Sequence, residues 1–239
     1  MQTMNLIFAG VGGQGVLLIA EMTALAAVRA GYDVKQTEVH GVSQRGGSVE
    51  SHLRFGREVH SPLVMPGQAD VVVGLEKLEG LRYAHYLCWQ IADSGWRMAN
   101  DHPPSTISHS PSASGILLVN DQEIIPASVA NAAERYPHHA LDFLQQKGLR
   151  VMVLPASQCA RDLGDGRMAN VIMLGALSAL LALPDDVWKE TLQDRVPVRH
   201  RESNLRAFEA GKELASSAPN PLPLPTELPV GRGRGQGGG

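Results

Sequence analysis

Cysteine is scarce in this chain of 239 residues: Cys88 and Cys159 are its two thiols, and they form no CxxC pair. Two thiols cannot supply the four cysteine ligands of an iron–sulfur cluster. The N-terminus also lacks a basic, apolar signal segment, so a disulfide between distant cysteines is not expected. These absences predict a cytoplasmic protein that holds no iron–sulfur cluster of its own.

Positive charge is not in excess, because 21 Lys and Arg residues stand against 24 Asp and Glu residues, for a net charge of −3. Nucleic-acid binding requires a basic surface, so a nucleic-acid partner is not expected. Long apolar runs are also absent. The most apolar segment, residues 170–183, is interrupted by Gly175 and Ser178 and is too short to span a membrane. It is interpreted as a buried helix.

The N-terminal region contains a glycine loop between two regular elements. Residues 5–9 form an apolar run that predicts a buried strand, and residues 16–30 have the three- and four-residue apolar spacing of a helix. The loop between them is Gly10-Val11-Gly12-Gly13-Gln14-Gly15. Its spacing matches the dinucleotide-binding fingerprint, in which backbone N–H groups at a helix N-terminus hold an anion. The alternative is that the glycines serve only the turn and the packing of helix on strand.

A second glycine-rich loop follows the strand predicted at residues 32–39. It contains Ser43, Gln44, Arg45, Gly46 and Gly47. In a parallel α/β sheet this loop and the first one lie at the same carboxyl edge, where ligands and partners bind. Arg45 offers donors for phosphate or carboxylate. An ordinary solvated loop is the alternative, and Glu38 is either a ribose-binding acid or a plain strand-end residue.

The remaining pattern alternates strands and helices. Residues 49–61 are interpreted as a hairpin, residues 69–74 as a buried strand, residues 149–155 as a core strand, and a short helix is expected to end near Leu87. This order predicts an α/β, Rossmann-like three-layer fold with a mostly parallel sheet. Residues 216–239 are rich in proline and then glycine, which predicts a disordered C-terminal tail.

Several of these segments occur in the order and spacing of one family. They are residues 10–15, the run Glu38-Val39-His40-Gly41-Val42-Ser43-Gln44-Arg45-Gly46-Gly47-Ser48, and later segments at 61–63, 69–71, 115–120, 125–126, 163–164, 169–176 and 204–211. The chain thereby resembles the gamma-type subunit or domain of 2-oxoacid:ferredoxin oxidoreductases. Within that family it is most similar to the beta subunits of the indolepyruvate enzymes.

The resemblance implies a catalytic-type domain over residues 1–215, with 88–114 as an insertion loop. It implies a larger partner subunit that carries thiamine diphosphate, Mg²⁺ and [4Fe-4S] clusters, while this chain holds no cofactor tightly. The complex would oxidatively decarboxylate an aryl pyruvate such as indolepyruvate, release CO₂, form the acyl-coenzyme A and reduce ferredoxin. The two glycine loops would face the partner or bind coenzyme A as a co-substrate, and the isolated chain would be inactive.

Two other interpretations come from the residues alone. The glycine fingerprint with Glu38 would also fit a free-standing dinucleotide-binding dehydrogenase or sensor. Gly164-Asp165-Gly166 matches the start of a thiamine diphosphate and magnesium motif, but residues 190–196 contain no asparagine to complete it. That segment is therefore interpreted as a loop before the apolar helix. No metal ligands and no catalytic residues are assigned to this chain.

Overall fold

The computed structural model describes residues 3–40, 47–87 and 115–216, together with residues 222 and 225. Residues 43–46 of the second glycine loop, the predicted insertion at 88–114 and nearly all of the predicted tail at 216–239 lie outside the described residues. The fold, the first glycine loop and Gly47 all lie inside them.

A six-stranded sheet forms the middle layer. Its strands are β1 (Met4–Val11), β2 (Asp33–His40), β3 (Ser48–Gly56), β4 (Val71–Gly74), β5 (Ile116–Asn120) and β6 (Arg150–Leu154). They lie in the order β2-β3-β1-β4-β5-β6. The strands β1, β4, β5 and β6 are parallel, whereas β3 is antiparallel to both β1 and β2. Because β2 consequently points the same way as β1, the sheet is mostly parallel, as predicted.

Helices connect these strands and form the C-terminal part of the described chain. They are α1 (Val16–Arg29), α2 (Lys77–Tyr83), α3 (Ala127–Ala130), α4 (Ala140–Gln146), α5 (Ala156–Asp162), α6 (Ala169–Leu180), α7 (Asp185–Arg195) and α8 (Arg201–Ala215). Gly31 follows α1 with φ of +90°, which is the left-handed conformation expected of a glycine after a helix C-terminus.

The helices lie on both faces of the sheet, which gives the predicted three layers. On the first face, α1 covers β1, β2 and β3 and packs against α6 and α7. Side chains of Phe8, Leu53 and Ile19 belong to that core. On the second face, α2 and α4 pack over a smaller core that includes Ile7 and Leu117. Every residue of β4 is buried because β4 is covered from both sides. The α/β fold class is therefore confirmed.

The buried helix expected at residues 170–183 is α6, and it crosses α8 at two glycines. A Cβ added to Gly175 would lie 2.0 Å from the Phe208 carbonyl oxygen, and one added to Gly211 would lie 1.9 Å from the Ile172 carbonyl oxygen. The two backbones are therefore in direct contact at positions that admit no side chain. In the described part of the chain, neither α6 nor any other helix has the length and apolar character needed to cross a membrane.

Two sequence predictions about strands are corrected by the sheet. The hairpin over residues 49–61 is wrong, because β3 pairs along its length with β2 and β1 and residues 57–64 form no strand. In that segment, Val59 donates its N–H to Asp33 and Val64 donates to Nδ1 of His52. The core strand predicted at 149–155 is instead the edge strand β6, in which Val153 is 38% exposed.

Candidate functional site

The first glycine loop connects the carboxyl end of β1 to the N-terminus of α1. A Cβ at Gly10 would lie 3.1 Å from the Leu75 Cβ, and one at Gly15, which has φ of +83°, would lie 2.2 Å from Asn170 Nδ2. Gly13 is exposed with φ of +100°, and a Cβ there would meet no atom of the described residues within 4 Å. The loop is therefore packed on its inner side, while its turn at Gly13 is open.

Gln14 turns its side chain into the sheet edge. Its Oε1 accepts the Val11 N–H at 2.8 Å, and its Nε2 lies 3.3 Å from the Leu75 carbonyl oxygen and 3.4 Å from Gln122 Oε1. These bonds tie the loop after β1 to the loop after β4. The chain leaves β1 towards β2 and leaves β4 towards β5, so these two loops flank the switch point of the sheet, where a dinucleotide would bind. The side chain of Gln14 spans that crevice.

The second glycine loop returns to the same edge as the first. Gly47 directly precedes β3, and its carbonyl oxygen accepts the Gly12 N–H at 2.9 Å. The prediction that the two loops lie at one carboxyl edge therefore holds for Gly47, whereas Ser43, Gln44, Arg45 and Gly46 are outside the described residues. The Gly12 N–H is already used by this bond. An anion at the loop would instead meet the exposed turn at Gly13 and the first N–H groups of α1.

A buried amide and hydroxyl network extends this edge beyond β4. Asn120, at the end of β5, donates its side-chain N–H to the Leu75 carbonyl at 3.1 Å and to Ser157 Oγ at 2.8 Å. Its Oδ1 accepts the Ser157 N–H at 3.0 Å, and Ser157 Oγ donates to Gln122 Oε1 at 3.0 Å. The loops after β1, β4, β5 and β6 are consequently held in one fixed arrangement by neutral groups.

Glu38 does not occupy the position of a ribose-binding acid. In the dinucleotide-binding fold the second strand lies beside the first, so that the acid at its end faces the glycine loop. Here β3 lies between β1 and β2, and Glu38 is opposite Ser51 of β3. The inserted antiparallel strand removes the geometry on which the ribose role depended.

Polar side chains that the sequence analysis did not select surround the start of β3. Ser48 donates its hydroxyl proton to Glu79 of α2, and Arg82 donates its Nε–H to the same carboxylate at 3.1 Å. The Tyr83 hydroxyl lies 3.4 Å from Ser48 Oγ. Burial raises the pKa of Tyr83 to about 12, and the Glu50 carboxylate adds to that rise. Residues 49–55 alternate between apolar and polar side chains, but this pattern does not show which polar positions the fold covers.

Glu76 is a fully buried carboxyl group at the start of α2. It accepts the N–H groups of Leu78, at 3.0 Å, and of Glu79, and thereby caps the helix. Burial raises the pKa of Glu76, while the backbone donors act in the opposite direction. The cap fixes α2 directly after Leu75, next to the glycine loop.

The Gly-Asp-Gly segment is a helix entry. Gly164 has φ of +98°, and Asp165 accepts the Arg167 N–H at 3.0 Å to cap a short 3-10 turn over Gly166–Met168. The hydrogen bonds from Arg167 lower the pKa of Asp165 to about 2. Among the residues that the structure describes, no group of three His, Cys, Asp or Glu side chains is placed to hold a metal ion. Cys159 is a free thiol.

The fold and this edge together define a class: a three-layer α/β protein whose carboxyl edge is built from two joined glycine loops and a fixed amide network. Residues 5–214 match the family model described as pyruvate ferredoxin/flavodoxin oxidoreductase. The chain therefore belongs to the pyruvate ferredoxin/flavodoxin oxidoreductase family, and the resemblance drawn from the glycine loops is confirmed.

Relatives and solved structures agree with this assignment. The chain is 34% identical over 222 residues to the indolepyruvate oxidoreductase subunit IorB of Thermococcus kodakarensis, which covers 90% of this chain and 97% of that protein. Its fold resembles that of the gamma subunit of a keto/oxoacid ferredoxin oxidoreductase from Geobacter sulfurreducens, with a TM-score of 0.60, 22% identity and coverage of 90% and 99%.

A second solved structure is larger than this chain. It is the 2-oxoglutarate:ferredoxin oxidoreductase from Magnetococcus marinus with 2-oxoglutarate, coenzyme A and succinyl-CoA bound. The TM-score is 0.66 at 21% identity, and the match covers 96% of this chain but 34% of that one. At this identity the two structures support the fold alone.

Proposed function

We propose that the chain is the small, gamma-type subunit of a thiamine diphosphate-dependent 2-oxoacid:ferredoxin oxidoreductase whose substrate is an aryl pyruvate such as indolepyruvate. The observation that carries the proposal is the family match over residues 5–214. The named relative, matched along nearly its whole length, supports the choice of indolepyruvate. The reaction releases CO₂, transfers the acyl group to coenzyme A and passes electrons to ferredoxin.

The partner in this proposal is a larger subunit that holds thiamine diphosphate, Mg²⁺ and [4Fe-4S] clusters. Those cofactors supply the decarboxylation and electron-transfer chemistry. In this proposal the chain itself shapes the surface that faces the active site of the larger subunit. We expect the complex to be cytoplasmic, and ferredoxin to be a partner of the complex as a whole.

In the complex, the carboxyl edge would be this chain's contact surface. Gly10, Gly12 and Gln14 hold the inner side of the first loop, as their packing and hydrogen bonds indicate. Gly15 is packed against Asn170 on that inner side as well. The exposed turn at Gly13, together with the N-terminus of α1 that follows Gly15, would contact the partner or a phosphate group of coenzyme A. The same role is proposed for the second loop, residues 43–47, whose end at Gly47 is joined to Gly12.

A substrate comparison on the assembled complex tests this proposal. The chain and the larger subunit are co-expressed and purified anaerobically, and ferredoxin reduction is followed with indolepyruvate, pyruvate and 2-oxoglutarate at saturating coenzyme A. The proposal expects the highest kcat/KM for indolepyruvate and no activity from the isolated, colourless chain. Equal or higher kcat/KM for 2-oxoglutarate would contradict the aryl pyruvate assignment, and no 2-oxoacid turnover would contradict the whole function.

The free-standing dinucleotide-binding alternative has less support. Gln14 spans the switch-point crevice, the Gly12 N–H is bonded to Gly47, and β3 separates Glu38 from the glycine loop. Each of these features occupies a position that the dinucleotide would need.

A further inference from the structure

The second face of the sheet is unevenly covered. Helices α2 and α4 pack mainly on β1, β4, β5 and β6 on this face. Residues 57–68 cross β2 and β3 near the start of β2 and the end of β3. There Arg54 Nη1 donates to the Ser61 carbonyl at 3.1 Å and Val64 donates to His52. Near the end of β2 and the start of β3, Val39 lies opposite Glu50 and is 48% exposed. Paired residues of adjacent strands point to the same face, so Val39 and Glu50 form one surface.

Glu50 is the charged group of that surface. Its side chain is 16% exposed, and its carboxylate contributes to the raised pKa of the Tyr83 hydroxyl. The nearest nitrogen of a basic side chain in the described part of the protein is His52 Nε2, 3.8 Å from Glu50 Oε1. That separation is too long for a hydrogen bond.

His52 is not a cationic partner for Glu50. The ring is 3% exposed, and its Nδ1 accepts the Val64 N–H at 3.1 Å, so the single proton of the neutral ring is on Nε2. Burial lowers the pKa of His52, although Glu50 acts in the opposite direction. The Tyr86 ring packs against the His52 ring in a T-shaped arrangement, with the ring centroids 5.5 Å apart. The Nε2 atom is buried, points towards Glu50 and has no hydrogen-bond partner among the described residues.

Glu79 is a second carboxylate near the start of β3, and it has two hydrogen-bond donors. It receives the Nε–H of Arg82 and the hydroxyl proton of Ser48. Glu50, by contrast, has no lysine or arginine partner among the described residues. Removing a carboxylate from water costs several kcal/mol unless a partner compensates it. Such a group is a strong attachment point for a positive charge that arrives from outside.

We propose that Glu50 receives a guanidinium or ammonium group of the larger subunit. The surface formed by Val39 and Glu50 is then part of the subunit interface. The inference rests on the proposed function, because it assumes that subunit. Charge complementarity carries the choice of a cation. The exposed Val39 beside Glu50 suits the apolar stem of an arginine or lysine, which packs on apolar surface while its charged end reaches the carboxylate.

The test compares subunit affinity for wild type, Glu50→Gln and Glu58→Gln. Glutamine keeps the size and shape of the side chain and removes the charge. Glu58 is an exposed glutamate in the segment after β3 and serves as the matched control. Dissociation constants for the purified larger subunit are measured at low and high NaCl. We expect Glu50→Gln to weaken binding by about 30-fold or more and to reduce its salt dependence. Glu58→Gln should bind as wild type, and Glu50→Gln should not lower the melting temperature of the isolated chain.

Two results would overturn the inference while leaving the proposed function intact. One is wild-type affinity for Glu50→Gln. The other is a set of melting temperatures showing that Arg45 of the same chain is the partner of Glu50. In that case Glu50→Gln and Arg45→Ala would each lower the melting temperature of the isolated chain, and the double variant would lower it no further. If the wild-type chain failed to bind the larger subunit at all, the proposed function itself would fail, before Glu50 was compared.

Discussion

Gln14 provides the sharpest test of how the carboxyl edge is built. The sequence presents it as a loop residue available to a ligand, whereas the structure uses its side chain as a brace between the loops after β1 and β4. Replacing Gln14 with alanine removes the acceptor of the partly buried Val11 N–H. The Leu75 carbonyl retains its bond from Asn120 at 3.1 Å, so the cost comes mainly from Val11.

An unsatisfied, partly buried donor costs about 1–3 kcal/mol, so Gln14→Ala should lower the free energy of unfolding by about 2 kcal/mol. Gln14→Glu should be no better, because it keeps an acceptor for Val11 but places an anionic oxygen against the Leu75 carbonyl and Gln122 Oε1. Urea unfolding of the isolated chain measures both variants. Gln158→Ala, which removes an exposed side-chain bond to Asp162, is the control and should change stability by less than about 0.5 kcal/mol.

The outcome for Gln14 separates a brace from a ligand-binding residue. If Gln14→Ala and Gln14→Glu both unfolded like wild type while assembly or coenzyme A binding was lost, the side chain would act on a ligand and the bracing role would be refuted. If both variants were destabilised, and the surviving folded protein assembled with weakened affinity, Gln14 would act by positioning the loop.

Three further predictions follow from other parts of the fold. Gly211→Ala should destabilise the chain by about 3 kcal/mol or more in urea unfolding, because a Cβ would lie 1.9 Å from a carbonyl oxygen of α6. Gly166→Ala is the control and should cost little, because the nearest atom to its Cβ would be 3.6 Å away. Equal stability of the two variants would contradict the close contact between α6 and α8. Burial in the folded state lowers the pKa of His52, so below the ordinary histidine value of 6.5 the unfolded chain binds more protons than the folded one. Stability should therefore decrease as the pH is lowered below 6.5, by up to about 1.4 kcal/mol per pH unit. His52→Gln should remove that part of the slope, and an unchanged profile would show that His52 does not cause it. NAD, NADP and FAD should leave the melting temperature of the isolated chain unchanged, since a ligand that binds the native state raises it by mass action; a concentration-dependent rise would revive the dinucleotide interpretation.

The local part of the fold was accessible from sequence. The strand, glycine loop and helix at the N-terminus were predicted within about two residues at each end, because apolar spacing and glycines act over short distances. The buried helix α6 was predicted for the same reason. The family resemblance rested on the long run from Glu38 to Ser48, although residues 43–46 of that run remain a prediction as site residues.

Strand pairing was not accessible, and it decides the site. Alternation over residues 49–55 predicts a half-buried strand but does not identify its neighbours, so the insertion of β3 between β1 and β2 was missed. The ribose role of Glu38 was lost with that insertion. Edge position also escapes a local pattern, as β6 shows.

Side-chain direction was the other missing information. Gln14 bonds to groups that are 61 and 108 residues away in sequence, and these partners exist only once the sheet has formed. Glu50 and His52 look like the polar side of an exposed strand, yet Tyr83 and Val64 cover them in the structure. Buried polar groups of this kind depend on tertiary contacts rather than on spacing.

The most direct test of the central claim is purification of the tagged chain from cells of its own source under anaerobic conditions. The account predicts that a larger, brown subunit is recovered with it, that this subunit contains thiamine diphosphate, and that the complex oxidises indolepyruvate in the presence of coenzyme A and ferredoxin. Recovery of the chain alone, carrying a bound dinucleotide, would contradict the account and leave the family relationship as a guide to fold.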